Sequence, residues 1–477
     1  MKPLLAAAIG GLVVGVSLPP FGLWFLAPLG YALFAYAMAT EGRRRGRVGR
    51  AALFNAAYFA VGLAWSVEFA IVAFIGLMAI EVLLTTLPWL LTPRTPRVAI
   101  LAFPALVTVG ELLRYRWPLG GLPLAGIALG QVNGPLLPLA KLGGDLAIVF
   151  VTALVGAAIY CLRGNRALAV VAGVIVVVVV ALGWVAPTPK AGDAVRVAYA
   201  QGGGPRGLRA IENVSTDVFG NQLRASRRVH RPVDLVVWPE DVIDLSGPIA
   251  RDPIRFEVGA LATHLDTTLV AGVVEDSGTD RFRNAAVAWD RSGKIVDRFE
   301  KVHRVPFGEY VPARGLVKHL ADLSPVPRDA IAGKGDGVLL TRAGQLGVMI
   351  SYEVFFADRA RTAVHGGAEV LLVPTNASSF KGRQVPRQEV AAARLRAVET
   401  GRDLVQAAPT GHSVFVDARG HTARTSKLGA RAAATSVLHK RHGRTPYDRY
   451  GDRPVVALVA IVVLGALALD RAVKTTD

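Results

Sequence analysis

The chain has 477 residues, of which 52% are hydrophobic and only 19% are charged, yet its formal net charge is +18. Soluble domains are rarely so apolar, so part of the chain is expected to lie in lipid. A positive surplus can reflect nucleic acid, anionic lipid or the cytoplasmic loops of a membrane protein, and the placement of the charges decides between them. The single cysteine, Cys161, excludes an intrachain disulfide and a cysteine-based metal site.

Eight apolar runs approach or exceed the length of about 20 residues that a helix needs to cross a bilayer. The predicted spans are residues 4–18, 22–40, 51–72, 74–91, 98–115, 138–162, 167–186 and 454–470. The short connections 41–50, 92–97 and 163–166 are basic, whereas 17–22 and 117–135 carry no Lys or Arg. If the N-terminus is inside and there are eight crossings, every basic connection falls on the cytoplasmic side. This pattern explains much of the positive charge without nucleic acid.

The first run could instead be a signal peptide, but it lacks a convincing small-residue cleavage site and a second span follows at once. Carboxylates within the apolar runs could mark a proton relay; they are Glu68, Glu81, Glu111 and Asp145. Their spacing does not place a relay on one helix, which favours positions near helix ends or beside polar neighbours. The expected organisation is a membrane domain at 1–186, an extracytoplasmic domain at 187–453, and a last helix with a cytoplasmic tail at 454–477.

Residues 187–453 contain short β-rich runs, several of them apolar throughout, as in strands that are covered on both faces. The runs are 196–202, 234–240, 267–275, 285–290, 344–351, 368–376 and 413–420. Helical stretches are predicted at 256–265 and 387–406. The alternation predicts an α/β layered domain with one sizeable core.

Reactive side chains lie at three places where predicted strands end. Glu240 follows "VVWP", Ser351 follows "GVMI", and Lys301 and Glu309 lie in a loop held by prolines. In an open α/β sheet, polar groups at the ends of strands often form a functional site. Each also has a plainer interpretation: a turn residue at Glu240, a surface pair of Lys301 with Glu300, and a helix cap at Ser351. The residues alone leave both interpretations open.

Local strings and their spacing resemble the nitrilase superfamily, which uses a Glu, a Lys and a Cys on an αββα sandwich. Together with the apolar map, the resemblance narrows to the apolipoprotein N-acyltransferase family. The strings that carry it are "PPFGLW" (19–24), "VWPED" (237–241), "KVHRVPFGEYVP" (301–312), "ISYE" (350–353), "ARLRAVETGR" (393–402) and "TPYDRYGD" (445–452). The resemblance implies a polytopic α-helical membrane domain of eight transmembrane helices. It also implies a nitrilase-like αββα domain between the seventh and eighth helices, outside the cytoplasm at a bacterial plasma membrane.

The family resemblance also implies a two-step acyl transfer. A phospholipid gives its acyl chain to the family's cysteine, and the α-amino group of a diacylglyceryl-cysteine at a lipoprotein's N-terminus then takes it. By matching motifs, Glu240 is the expected general base, Lys301 the stabiliser of the oxyanion, and Ser351 stands where the nucleophilic Cys belongs. Three residues match supporting positions: Glu309, Tyr352 and Glu353. Trp238 and Asn376 are expected to bind substrate, and neither a cofactor nor a metal is expected.

The serine departs from the family's pattern. A thiol ionises near pH ~8.5, whereas a hydroxyl is far weaker, and a carboxylate of ordinary pKa near ~4.3 is a poor base for it. Where the family usually has Trp, the chain has Arg209-Ala210, and it has Ala377, Ser378 and Ser379 where the family usually has an Asp and a Trp. Several departures together suggest a divergent paralogue rather than one engineered substitution.

Three functions therefore stay open. The chain could be a working N-acyltransferase, a weak or inactive paralogue that binds lipid or lipoprotein or scaffolds a partner membrane enzyme, or a membrane-tethered amidase. The scaffolded partner could be a polyprenol-phosphate mannosyltransferase. Expected ligands are a phospholipid acyl donor, a diacylated apolipoprotein acceptor and membrane lipids. Lys381, Arg383 and Arg387 could contact anionic headgroups or could form a solvated basic face.

Overall fold

The computed structural model describes residues 1–207, 215–319, 323 and 326–476. The chain divides into two compact units: the first comprises Met1–Pro187 and Thr445–Asp477, and the second comprises Thr188–Arg444.

The first unit is helical. Its helices up to residue 187 are α1 (Pro3–Ser17), α2 (Leu26–Ala39), α3 (Arg44–Gly62), α4 (Ile71–Thr86), α5 (Pro96–Arg114), α6 (Ile127–Gly130), α7 (Ala140–Cys161) and α8 (Arg166–Val185). Two more follow the second unit, at Pro446–Tyr450 and Arg453–Thr476. Among the described residues, five segments are long and apolar enough to cross a membrane: Ile71–Leu91, Pro96–Arg114, Leu137–Cys161, Arg166–Val185 and Arg453–Val473. The helices α1 and α2 are apolar but shorter.

The third helix differs from the predicted span 51–72. It begins at Arg44, inside the basic connection, and ends at Gly62. The buried Arg47 explains the early start, because its Nε donates to the carbonyl oxygens of Met38 (3.2 Å) and Glu41 (2.7 Å) and so ties α3 to the end of α2. After Gly62 the chain turns into a short 3-10 helix at Ala64–Glu68.

Two of the apolar-run carboxylates are paired with a cation. The buried guanidinium of Arg114 donates to Glu81 and lies 3.4 Å from Glu111. A buried cation that is held by two carboxylates fits a structural role in the helix bundle, and it gives no support to the proton-relay hypothesis for these two residues.

The second unit contains two β-sheets. The strands are β1 (Ala191–Gln201), β2 (Leu235–Val237), β3 (Ile243–Leu245), β4 (Thr268–Asp276), β5 (Arg281–Trp289), β6 (Ile295–Glu300), β7 (Asp329–Ala330), β8 (Val338–Thr341), β9 (Gly344–Val348), β10 (Val370–Pro374), β11 (Leu404–Ala407), β12 (Val414–Val416), β13 (Thr422–Ala423) and β14 (Ala432–Arg441). The first sheet has the order β14-β1-β2-β4-β5-β6, with β3 beside β4 and β7 beside β5. The second has the order β13-β12-β11-β10-β9-β8.

The two sheets enclose one core and carry helices on their outer faces. The helices of this unit are α9 (Ser215–Ser226), α10 (Ile254–Leu265), α11 (Arg314–Val317), α12 (Ala357–His365) and α13 (Gln384–Thr400). Val237 of the first sheet and Val348 and Leu372 of the second belong to the same fully buried cluster. The helices α9 and α10 cover the first sheet, and α12 and α13 pack against the second. The layers form an αββα sandwich, which confirms the predicted α/β domain.

The predicted helix 387–406 is wrong at its end. The helix α13 stops at Thr400, because Gly401 has a φ of +63° and closes the helix in the left-handed conformation. Leu404–Ala407 then forms β11, which pairs in parallel with β10 and antiparallel with β12. Residues that were predicted to continue a helix therefore form a central strand of the second sheet.

Candidate active site

Four polar side chains from the first sheet and its loops form one buried network. Lys301 follows β6 directly, and its Nζ donates to Glu240 Oε1 (2.8 Å) and to Glu309 Oε1 (2.7 Å). Asn284 of β5 donates through Nδ2 to the same two oxygens, at 2.9 Å and 3.3 Å. Glu240 and Lys301 are 3% and 2% exposed. The structure thus brings Glu240, Lys301 and Glu309 together, as the sequence predicts.

The network combines one cation with two carboxylates. Burial raises the pKa of Glu240, and the adjacent Lys301 opposes that rise. Burial alone would lower the pKa of Lys301, but the carboxylates of Glu240 and Glu309 more than offset it, so its pKa is raised and the ammonium stays protonated. The network therefore holds a fixed positive charge beside a carboxylate whose basicity exceeds that of an exposed glutamate.

Ser351 begins a short 3-10 helix, Ser351–Phe355, at the end of the strand β9. It is 8% exposed and has a φ of +52°, in the left-handed region that residues other than Gly, Asn and Asp rarely adopt. Such a backbone costs of order 1–3 kcal/mol and persists only where its surroundings enforce it. The strained conformation is a reason to regard this segment as functional.

The carboxylate of Glu353 joins the Ser351 segment to the loop after Lys301. Its Oε1 accepts the backbone N–H groups of Val302 (2.9 Å) and His303 (3.0 Å), and its Oε2 accepts that of Ile350 (2.8 Å). Glu353 is fully buried. The side chain of Glu353 therefore connects the residue before Ser351 to the two residues after Lys301 through hydrogen bonds.

The remaining predicted site residues differ in their surroundings. Tyr352 packs edge-on against Phe356, with ring centroids 5.0 Å apart. Asn376 follows β10, the parallel neighbour of β9, so it lies at the same sheet edge as Ser351, and its Oδ1 accepts the N–H of Ser378 (3.0 Å). Trp238 is fully buried in the core between the first sheet and its helices, where it contacts Phe219 of α9. The prediction that Trp238 binds substrate is therefore not supported.

Two further acids adjoin the network, the partly buried Asp241 and the buried Glu389, and sequence reasoning missed both as site residues. Asp241 has a φ of +56°, and burial together with the charge of Glu240 raises its pKa well above the usual range. Glu389 lies on α13 and accepts a hydrogen bond from Thr375 Oγ1 (2.8 Å). Burial raises the pKa of Glu389 to about 8, with a further upward contribution from Glu240. For Asp241 the sequence signal was its position next to Glu240 in the motif. For Glu389 it was only an acidic residue in a helix that looked ordinary.

The network supplies a carboxylate and a fixed cation, and Glu353 joins its loop to the strained turn that carries the Ser351 hydroxyl. These are the group types that nucleophilic acyl chemistry uses. Among the described residues, no group of three or more His, Cys, Asp or Glu side chains is arranged to hold a metal ion.

Comparison with known proteins covers both units. Residues 10–158 match the family model described as the apolipoprotein N-acyltransferase N-terminal domain, and residues 196–438 match the carbon-nitrogen hydrolase model. An apolipoprotein N-acyltransferase of Mycolicibacterium smegmatis is 30% identical over 524 residues, covering 98% of this chain and 84% of that protein. The chain belongs to the apolipoprotein N-acyltransferase family.

A second sequence relative agrees. An apolipoprotein N-acyltransferase of Methylococcus capsulatus is 29% identical over 492 residues, covering 97% of this chain and 95% of that protein. Among solved structures, Nit3 of Saccharomyces cerevisiae, of the nitrilase superfamily, has 21% identity and a TM-score of 0.40, covering 53% of this chain and 93% of that one. The family models and the two sequence relatives confirm the family resemblance inferred from the motifs.

Proposed function

We propose that the chain is an N-acyltransferase that moves an acyl chain from a phospholipid to the α-amino group of an N-terminal diacylglyceryl-cysteine. Family membership over nearly the whole chain supports the reaction class. The observation that carries the proposal for this chain is the network of Glu240, Lys301 and Glu309, which Glu353 joins to the Ser351 segment.

In the first step, Ser351 Oγ attacks the carbonyl carbon of a phospholipid ester while Glu240 takes the hydroxyl proton. The ammonium of Lys301 stabilises the oxyanion of the tetrahedral intermediate. A single preorganised donor of this kind contributes about 3 kcal/mol. The intermediate then expels the lysophospholipid alcohol, which takes the proton from Glu240. Ser351 is left with an acyl oxyester.

In the second step, the free amine of the lipoprotein attacks the acyl-serine carbonyl. Glu240 receives a proton from the attacking nitrogen, and Lys301 again stabilises the oxyanion. The C–O bond to Ser351 breaks, and Glu240 returns the proton to the departing serine oxygen. The products are the amide-linked triacylated lipoprotein and the free hydroxyl of Ser351.

Burial gives the serine a stronger base than an ordinary carboxylate would be. A hydroxyl surrenders its proton far less readily than a thiol, so the raised pKa of Glu240 favours its transfer. The oxyester is also less ready than a thioester to acylate an amine, which the positive charge of Lys301 counters in the transition state.

The proposal includes a multi-pass protein of a bacterial plasma membrane. We infer eight transmembrane helices from the apolar runs and from the basic connections on one side, with residues 187–453 outside the cytoplasm. The chemistry supports this arrangement, because both donor and acceptor are lipids.

The test is acylation of the purified full-length protein in non-ionic detergent. The protein is incubated with labelled phospholipid, and its intact mass is measured for the native chain, Ser351→Cys and Ser351→Ala. We expect an acyl adduct on the native chain that resists neutral hydroxylamine, a faster adduct on Ser351→Cys that hydroxylamine removes, and none on Ser351→Ala.

The second half of the reaction is tested by adding a diacylated lipopeptide. A peptide with a free N-terminus should discharge the adduct, whereas the same peptide with an acetylated N-terminus should not. If only Ser351→Cys gains an acyl group, the native chain is a disabled relative with an intact framework, and the proposed activity is wrong.

A further inference from the structure

Five basic side chains lie on the segments that follow β1, β10 and β11: four on loops and one, Arg387, in the first turn of α13. They are Arg206, Lys381, Arg383, Arg387 and His412, called here the basic cluster. Arg206 fixes two of these loops together, because its Nη2 donates to the carbonyl oxygens of Phe380 (2.7 Å) and Gly382 (2.8 Å).

Three arginines of the basic cluster affect His412 electrostatically. Its Nδ1 lies 2.8 Å from the carbonyl oxygen of Ser426, which assigns the proton to that nitrogen. Burial lowers the pKa of His412, and Arg387, Arg206 and Arg383 lower it further. Three guanidinium groups therefore act on one position, where the local potential is positive.

The basic cluster also surrounds the start of α13, where positive charge is unfavourable. A helix N-terminus carries a partial positive charge and usually has acidic residues in its first turn. Here Arg383 precedes the helix, Arg387 lies in the first turn, and that turn contains no acid. Positive charge at this end of a helix opposes the helix dipole, and a bound anion would offset that repulsion.

The basic cluster lies at the sheet edge that carries Ser351. The strands β9, β10 and β11 are parallel neighbours, so the loops after all three leave the sheet at the same edge. Ser351 follows β9, the segment 376–387 follows β10, and His412 follows β11. An anion held by the basic cluster would therefore be near the reacting hydroxyl.

We propose that the basic cluster binds the phosphate group of the glycerophospholipid acyl donor. This inference rests on the proposed function and adds the donor's recognition site to it. The phosphate is the anion that the donor carries a few bonds from its reacting ester, and guanidinium groups are well suited to phosphate oxygens. The reacting group of the acceptor is an amine, so a cluster of cations would not attract it.

The test measures binding separately from acyl transfer. Full-length Ser351→Ala in non-ionic detergent is titrated calorimetrically with a short-chain phosphatidylglycerol, with the matching diacylglycerol that lacks phosphate, and with inorganic phosphate. The same ligands are then titrated into Ser351→Ala carrying Arg383→Gln and Arg387→Gln. The matched control carries Arg342→Gln and Arg419→Gln, which remove the same charge from exposed turns at the opposite edge of the second sheet.

We expect the Arg383/Arg387 variant to bind phosphatidylglycerol about ten- to a hundredfold more weakly, as the loss of charged hydrogen bonds implies. Its affinity for diacylglycerol should be unchanged, and the Arg342/Arg419 control should bind both as the parent does. The difference between the variants should shrink as salt is raised.

Three results would overturn the inference: equal phosphatidylglycerol affinity in both double variants, equal affinity of the parent for phosphatidylglycerol and diacylglycerol, or binding of inorganic phosphate alone. Failure of the proposed function has a different signature. In that case the native chain forms no acyl adduct, while charge-dependent phospholipid binding persists.

Discussion

The substitution Glu353→Gln tests whether the Ser351 segment depends on its link to the loop of Lys301. The carboxylate accepts three backbone N–H groups, from Val302, His303 and Ile350. An amide has the same shape but only one accepting oxygen. Its NH₂ group must face either the N–H of Ile350 or those of Val302 and His303, donor against donor.

The expected cost follows from the number of bonds lost. Glu353→Gln loses one or two hydrogen bonds to a charged acceptor, each contributing about 1.5–3 kcal/mol. We therefore expect a destabilisation of about 2–4 kcal/mol, which for a domain of this size corresponds to a fall in Tm of roughly 5–15 °C. If a similar part of that energy holds Ser351 in its strained conformation, adduct formation should slow about 30-fold or more.

The assay combines thermal unfolding with the rate of adduct formation for the full-length protein. Glu257→Gln is the control, because it makes the same chemical change on an exposed residue in the first turn of α10. The reasoning is refuted if Glu353→Gln melts and reacts like Glu257→Gln. A fall in Tm without a slower reaction would show that the link stabilises the fold but does not position the nucleophile.

Three further outcomes follow from the same network. Lys301→Met leaves the buried Glu240 and the partly buried Glu309 without their cation, so adduct formation should fall about 10²–10³-fold and stability by about 3–5 kcal/mol, measured as rate and Tm; unchanged rates would exclude Lys301 as the oxyanion stabiliser. Because burial raises the pKa of Glu240, the rate should fall as pH decreases through that raised value, so the acid limb of the rate profile should lie above pH ~4.3; a limb at the ordinary value would contradict the raised pKa. Glu389, with a pKa raised to about 8, is protonated in the folded state and ionised in the unfolded state at pH 7, so its favourable contribution is complete below pH ~4.5 and is lost as pH rises towards 8. Glu389→Gln should therefore be more stable than the native chain by up to about 3 kcal/mol at pH 7, with a Tm difference that widens from pH 5 to 8; a constant difference would contradict the argument.

Sequence analysis could predict the site residues that lie in recognisable local motifs. Glu240, Lys301 and Glu309 were expected at one site because they stand at strand ends within recognisable motifs, and they form one hydrogen-bonded network. The end of α13 was also encoded, since Gly401 is a typical helix terminator. The apolar and polar residues after it continued an apparent helical pattern, which concealed β11.

Trp238 and Glu389 could not be assigned from the sequence, for a different reason. In β2 and at Trp238 directly after it, Val236 and Trp238 face the helices, whereas Leu235 and Val237 face the opposite sheet. The alternation of side chains along a strand shows that these two pairs lie on opposite faces of the sheet. It does not show which face packs against the helices and which packs against the other sheet. Glu389 approaches the network through tertiary packing of α13 against the Ser351 segment, a contact that no local pattern encodes.

The serine and its base impose opposing demands on the same buried network. A weaker nucleophile needs a more basic carboxylate, which burial and the neighbouring charge of Glu309 supply by raising the pKa of Glu240. A carboxylate that is raised too far would be protonated at neutral pH and could accept no proton. The ammonium of Lys301, 2.8 Å away, opposes that rise and also supplies the charge that the oxyanion requires. The pairing of Lys301 with two carboxylates thus lets one buried cation keep the base ionised while Glu309 keeps it basic. This balance is what makes acyl transfer through Ser351 chemically reasonable.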